Sequence, residues 1–192
     1  MSWPSLGAVV RPQGEVEFRV WAPAADTVAV RLADGEHELV PRHDGVFAGT
    51  VEAPADGTYV YVLDGDRALP DPCSRAQPLG ASGPSEIVDT SAFRWTDEAW
   101  QGLVLGDLVV YELHVGTFSA SGTFDGVAAR LPELRDLGVT AIELMPVGTF
   151  PGRRSWGYDA LYAWAPHEAY GGPGGLARLV DQAHREGIGV IL

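Results

Sequence analysis

Six aromatic residues crowd one stretch of the chain: Phe150, Trp156, Tyr158, Tyr162, Trp164 and Tyr170. Flat aromatic faces suit the axial C–H surfaces of sugar rings, and Arg153, Arg154 and Asp159 from the same stretch can exchange hydrogen bonds with hydroxyls. Stacking surface beside hydroxyl-binding groups is the chemistry of saccharide recognition. In an arbitrary loop, however, the commoner use of such aromatics is to pack the loop onto its own scaffold. His114 has two readings of equal weight, orienting a substrate hydroxyl or serving as a satisfied structural histidine. Glu112 and Glu143 fall on adjacent predicted strands and suggest the two carboxyls that flank a glycosidic bond during its hydrolysis. Both stand inside their strands rather than where the chain leaves them, which favours a duller role accepting hydrogen bonds from loops. Gly171-Gly172-Pro173-Gly174-Gly175 lacks the Gly-Lys-Ser/Thr ending of a phosphate cradle and reads as a turn into a helix.

These residues need a frame, and the second half of the sequence supplies one. Leu108 to Val115 is a nearly continuous apolar run of the kind buried on both faces of a parallel sheet. Phe124, Val127, Ala128, Leu131, Leu134 and Leu137 recur at helical spacing, with Thr123 placed to cap and Gly138 to stop. Pro132 interrupts that helix, so the pattern predicts a kink or two short helices with Pro132 starting the second. Thr140 to Val147 is a second strand, Leu176 to Ala183 marks a second helix ending near Gly187, and Gly189 to Leu192 opens a third strand. Between Met145 and Gly175 lie roughly 30 residues, more than the ~15 beyond which an unstructured connection is usually functional or disordered. This connection leaves the carboxyl end of a strand, the face on which barrels of alternating strands and helices place their active sites.

The first half has another rhythm. Val16, Phe18 and Val20, then Val28, Val30 and Leu32, then Tyr59, Tyr61 and Leu63 alternate at period two. Asp-Gly pairs at 34, 44, 56 and 64 punctuate them, which predicts an antiparallel sandwich. The expected organisation is a β-sandwich over residues 1–85, a linker over 86–106, and the start of a (β/α)8 barrel over 107–192. The Pro-, Ser- and Gly-rich stretch 70–84 reads as ordered connection. Such a barrel needs about 250 residues, so the reading is of a fragment holding three strands and two helices of it, with open strand edges prone to aggregation.

Composition excludes several classes. The 192 residues carry 26 acidic side chains against 13 basic ones, for a formal net charge of −13. That field repels a polyanion, so nucleic acid is not an expected partner. All 13 basic residues are arginine, and neither lysine nor asparagine occurs. A single cysteine, Cys73, cannot form an internal disulfide, and the five histidines show no metal-ligand spacing, so a structural zinc is not expected; no cofactor is expected either. The longest apolar stretch, 102–115, contains Asp107 and Glu112 and is shorter than the ~20 residues a membrane span requires. Residues 1–10 show no basic segment followed by an apolar run, so a cytoplasmic location is expected.

Longer motifs add a resemblance. Tyr111-Glu112-Leu113-His114-Val115-Gly116-Thr117-Phe118 and Leu137-Gly138-Val139-Thr140-Ala141-Ile142-Glu143-Leu144-Met145-Pro146-Val147 resemble the opening of the alpha-amylase-type barrel in glucan branching and debranching enzymes. Phe150-Pro151-Gly152, Trp156-Gly157-Tyr158-Asp159 and Ala165-Pro166-His167-Glu168-Ala169-Tyr170-Gly171-Gly172-Pro173 narrow it to the maltooligosyltrehalose trehalohydrolases. Leu69-Pro70-Asp71-Pro72, Ser74-Arg75, Gln77-Pro78 and Gly83-Pro84-Ser85 are similar to the interdomain signature of that family, and Trp21-Ala22-Pro23 to its glycogen-binding-module-like sandwich. Cys73, Ser82 and Gly174 depart from the family pattern, in which an alanine, a histidine and an acid are common.

The resemblance implies a retaining hydrolysis of the α-1,4 bond beside the trehalose end of maltooligosyltrehalose, in trehalose formation, through a covalent glycosyl-enzyme. The family's three catalytic acids follow its fourth, fifth and seventh strands, so none is in this sequence and the chain alone is expected to be inactive. What carries over is Tyr158, whose counterpart stacks on the sugar at the cleavage point, with Trp156 and Asp159 beside it and His114 as a further substrate-binding candidate. A glucan branching enzyme shares several of these motifs and is the nearest alternative. A non-catalytic glycan-binding module is the alternative of a different class. For that role the sandwich offers Trp3, Trp21, Phe47 and Tyr59, without an obvious exposed aromatic pair.

Overall fold

The computed structural model describes residues 5–192, so Trp3 lies outside the described residues. The chain divides into two compact units, with the boundary between Ala92 and Phe93.

The first unit contains β1 (Gly7–Val10), β2 (Glu15–Trp21), β3 (Val28–Leu32), β4 (Gly35–Glu38), β5 (Val40–Pro41), β6 (Val46–Glu52), β7 (Thr58–Leu63), β8 (Arg67–Leu69) and β9 (Ser85–Glu86). One sheet has the order β1-β2-β6-β5 and the other β4-β3-β7-β8, with β9 also on β7; every pairing is antiparallel. The period-two residues Val16, Phe18, Val20, Val28, Val30, Tyr59 and Tyr61 are all buried and form one core with Leu39, Phe47 and Ile87. Asp44-Gly45 and Asp64-Gly65 take the two successive positive φ values of a tight hairpin turn. Asp56-Gly57 does not, and there the Gly57 amide instead bonds to the Pro54 carbonyl at 3.0 Å. Of the sandwich aromatics named above, Phe47 and Tyr59 are buried whereas Trp21 is exposed.

The stretch after β8 is less a free connection than part of this unit. Asp71, Ser74, Gln77 and Ser85 are all buried. Tyr59 donates its hydroxyl to Asp71 Oδ2 at 2.6 Å, the Cys73 amide donates to Asp71 Oδ1 at 2.7 Å, and Ser85 Oγ accepts from the Asp71 amide at 3.0 Å. Loss of water around Asp71 raises its pKa above the usual carboxylate range, against the pull of these hydrogen bonds. Ile87 is buried as well and its amide bonds to the Gly57 carbonyl at 2.9 Å.

In the second unit, β10 (Val110–Leu113) leads into a single turn, α1 (Val115–Phe118), and then α2 (Phe124–Ala128) and α3 (Leu131–Leu137). β11 (Ala141–Leu144), a two-stranded excursion of β12 (Gly148–Thr149) with β13 (Tyr162–Pro166), α4 (Gly172–Arg185) and β14 (Gly189–Ile191) follow. The three main strands are parallel in the order β10-β11-β14. Thr123 caps α2 by accepting the Gly126 amide at 3.2 Å, Pro132 stands in the first turn of α3, and Gly138 ends α3 at φ +94°. The first strand is shorter than its apolar run and is not buried on both faces: only Leu113 of its four residues is buried, and β10 stands at the edge of the three-stranded sheet among the described residues. Ile142, Leu144 and Leu113 pack with α2, α3 and α4 residues into the second core. Residues 96–100 are tied to α4: Asp181 accepts the Thr96 amide at 2.6 Å, Asp97 pairs with His184 at 2.6 Å, and Trp100 stacks on His184. Among the described residues no helix is long and apolar enough to cross a membrane.

Candidate functional site

Side chains alternate along a strand, so Glu112 and His114 share one face of β10 and Glu143 and Met145 share the corresponding face of β11. Glu112 lies directly across the ladder from Glu143. Where this face runs out past the strand tips it opens into a cavity of about 440 Å³ lined by His114, Thr117, Met145, Arg154, Ser155 and Trp156. Met145 is held there by its amide, which bonds to the Leu113 carbonyl at 3.0 Å. The turn α1 brings Thr117 beside His114, with Oγ1 at 3.4 Å from Nδ1; Tyr170 OH approaches Nε2 at 3.5 Å. Both approaches are long for hydrogen bonds, so the imidazole keeps capacity for a ligand hydroxyl.

The expected six aromatics divide by burial, and only Tyr162 and Trp164 of them stand on a strand, β13. Phe150 and Tyr170 are buried in the second core, where loss of water pushes the Tyr170 phenol pKa up. Trp156 is 88% exposed, Tyr158 72% and Trp164 70%. Trp156 lines the cavity; Tyr158 is exposed two residues further along the same loop and is not one of the lining residues. Asp159 braces that loop from within: its Oδ2 accepts Ser155 Oγ at 3.0 Å and the Trp156 amide at 3.4 Å. Arg154 lines the cavity and Arg153, next to it, is exposed.

Gly157 completes the turn at φ +99°, a conformation only glycine adopts without strain. A methyl group there would come within 3.0 Å of Met145 Cε and 3.3 Å of His114 Cδ2. Among the described residues no group of three or more His, Cys, Asp or Glu is placed to hold a metal ion. Sequence reasoning did not single out Thr117, Met145, Ser155 or His167. Their roles come from the short α1 turn and the loop's backbone path, neither of which has a periodic signature.

Comparison with known proteins bears on this geometry. The model of the alpha-amylase catalytic domain matches residues 84–192, more than half of the chain. The chain belongs to the alpha-amylase family. A model of carbohydrate-binding module 48, the isoamylase N-terminal domain, matches residues 5–75. The malto-oligosyltrehalose trehalohydrolase of Deinococcus radiodurans is 45% identical over 97% of the chain, and a 1,4-alpha-glucan branching enzyme of Xanthomonas axonopodis is 36% identical over 98%. A crystal structure of a Salmonella typhimurium protein assigned as an alpha amylase superposes with a TM-score of 0.94 at 41% identity, covering all of this chain and 33% of that one. The chain thus spans about a third of these relatives' length: 31% of the Deinococcus enzyme and 30% of the Xanthomonas one. For an alpha-amylase-family chain, the position of the cavity at the carboxyl ends of β10 and β11 agrees with the face on which barrel folds carry their chemistry.

Proposed function

We propose that this chain supplies the glucan-facing entrance of a trehalose-releasing glycoside hydrolase. The observation that carries the reading is the cavity past the tips of β10 and β11, which an exposed indole, Trp156, lines together with Arg154, Ser155, Thr117 and His114. An aromatic face with hydroxyl-binding groups around it fits a pyranose ring, and the 45% identity to a malto-oligosyltrehalose trehalohydrolase favours maltooligosyltrehalose as the ligand. The reaction we infer is hydrolysis of the α-1,4 bond at the trehalose end with retention of configuration.

Retention requires two carboxyls about 5–5.5 Å apart, one acting as nucleophile and the other as acid and base. Glu112 and Glu143 are neighbours across the ladder but lie within the strands, below the cavity rather than at its rim. We therefore infer that the acids belong to other parts of the longer protein and that this chain alone binds without turnover. Its contribution is to stack the sugar, to bond its hydroxyls and to wall off one side of the cleft.

The experiment is product analysis of the full-length protein on maltooligosyltrehalose. Free trehalose with initial retention of the anomeric configuration supports the proposal. The 36% identity to a glucan branching enzyme sustains a second reading, which new α-1,6 branches and no trehalose would favour. Binding of maltoheptaose without turnover by the full-length protein would point to a glycan-binding module. Turnover by residues 1–192 alone would refute the assignment of the acids elsewhere.

A further inference from the structure

His167 follows β13, is buried, and ties together three separate segments. Its amide donates to the Val147 carbonyl at 2.8 Å, just past β11. Its own carbonyl accepts the amides of Tyr170 at 3.0 Å and Gly172 at 3.2 Å, at the start of α4. Its ring Nε2 stands 3.0 Å from the Gly152 carbonyl, at the base of the loop that lines the cavity. A carbonyl oxygen only accepts, so Nε2 carries the hydrogen, and in the neutral ring Nδ1 is bare. That Nδ1 is buried without a partner among the described residues. Phe150 packs on the imidazole with ring centroids 3.7 Å apart, and Tyr170 lies 5.6 Å away. Buried polar atoms are nearly always bonded, so an orphaned ring nitrogen indicates that the side chain is held for what its other nitrogen does.

We propose that His167 is a positioning residue for the cavity: its Nε2–H, given to the Gly152 carbonyl, fixes the base of the loop that carries Arg154, Ser155 and Trp156. The inference rests on the saccharide reading for its consequence and on geometry alone for the pin itself. Protonation would add a hydrogen at Nδ1, where there is no acceptor and the neighbours are aromatic rings. The cation relieves this by swinging toward solvent, which breaks the pin. Burial opposes the proton most and keeps the ring's pKa below the usual histidine value, against the Gly152 hydrogen bond and Glu168, which favour the proton, and with Arg153 on the loop, which opposes it. Acidification therefore loosens the loop.

Deuterium exchange over residues 153–158 tests the pin in the full-length protein, with each variant compared to wild type at the same pH so that intrinsic rates cancel. His167→Phe keeps the ring packing and removes the donor; the loop should exchange about tenfold faster at neutral pH, with maltoheptaose binding weakened to a similar degree. His167→Gln returns an N–H near the Nε2 position and cannot be protonated. It should restore protection and abolish the acid-induced step expected of wild type as pH falls below the usual histidine range. Should the Phe variant fail to fold, the wild-type step and its loss in the Gln variant decide the matter. Wild-type exchange in the Phe variant, or an acid step that survives in the Gln variant, would overturn the pin. Absence of maltoheptaose binding by wild type, with the exchange pattern as expected, would overturn only the saccharide consequence.

Discussion

Glu112 and Glu143 face each other directly across the parallel β10–β11 ladder, two carboxylates on one sheet face just below a cavity. Like charges opposed in a ladder repel. Glu112→Gln should therefore raise the melting temperature of the chain, by the equivalent of a fraction of a kcal/mol because the group is exposed, and added salt should narrow the gap to wild type. A lower melting temperature in the variant would mean that the pair is bonded rather than repelling.

The buried Tyr59–Asp71 bond makes a different demand. Removing the hydroxyl in Tyr59→Phe strips Asp71 Oδ2 of its donor inside the sandwich, which should cost about 1–3 kcal/mol in denaturant titrations. The pH dependence has a definite sign. Burial raises the folded-state pKa of Asp71, so the native state holds this proton more tightly than the unfolded chain does. The resulting stability is complete below the unfolded carboxylate pKa of ~3.9 and is lost as pH rises through the folded value. Asp71→Asn should therefore gain on wild type as pH rises from 4 toward neutrality. A difference that stays flat across that range would show that Asp71 titrates normally.

Where local rules apply, the fold is legible in the sequence. Thr123, Pro132 and Gly138 act through their own backbone geometry, and each stands where the sequence pattern put it. The alternation of Val16, Phe18 and Val20 worked because one sheet face is dry and the other wet. Asp71 was hidden for the opposite reason: nothing in Pro70-Asp71-Pro72 says that distant strands will bury the carboxyl. His167 was likewise legible only as a letter in a motif, since its orphaned Nδ1 is a property of Phe150, Tyr170 and Gly152 meeting around it. The aromatics of 150–170 look alike in sequence; Phe150 is buried because it packs against His167 and Tyr170 in the second core, whereas Trp156 stands on the exposed loop.

That separation makes a paired prediction. Trp156→Ala removes an exposed side chain, so stability should change by less than about 0.5 kcal/mol while maltoheptaose affinity falls about tenfold. Phe150→Ala empties a core position and should cost about 3–5 kcal/mol. Tyr158→Ala, equally exposed, should leave the fold intact and lower the rate of the full-length protein on maltooligosyltrehalose. If Trp156→Ala bound the glycan as wild type does, the indole would be ordinary exposed surface and the cavity would lose its stacking face.

Gly157 couples backbone strain to cavity shape. At φ +99° an alanine pays roughly 1–2 kcal/mol in backbone energy, which the exposed loop can shed by shifting its path. The new methyl would also press on Met145 Cε and His114 Cδ2, and the thioether end is the softer of the two. Met145 lines the cavity, so its displaced thioether end moves into the space proposed for the sugar. Gly157→Ala should thus weaken maltoheptaose binding more than it lowers the melting temperature, and Met145→Ala in the same chain should recover part of the affinity by making room. Calorimetric titration of the single and double variants reads this directly. Equal affinity in wild type and Gly157→Ala would show that the ligand does not occupy the space between His114 and Met145.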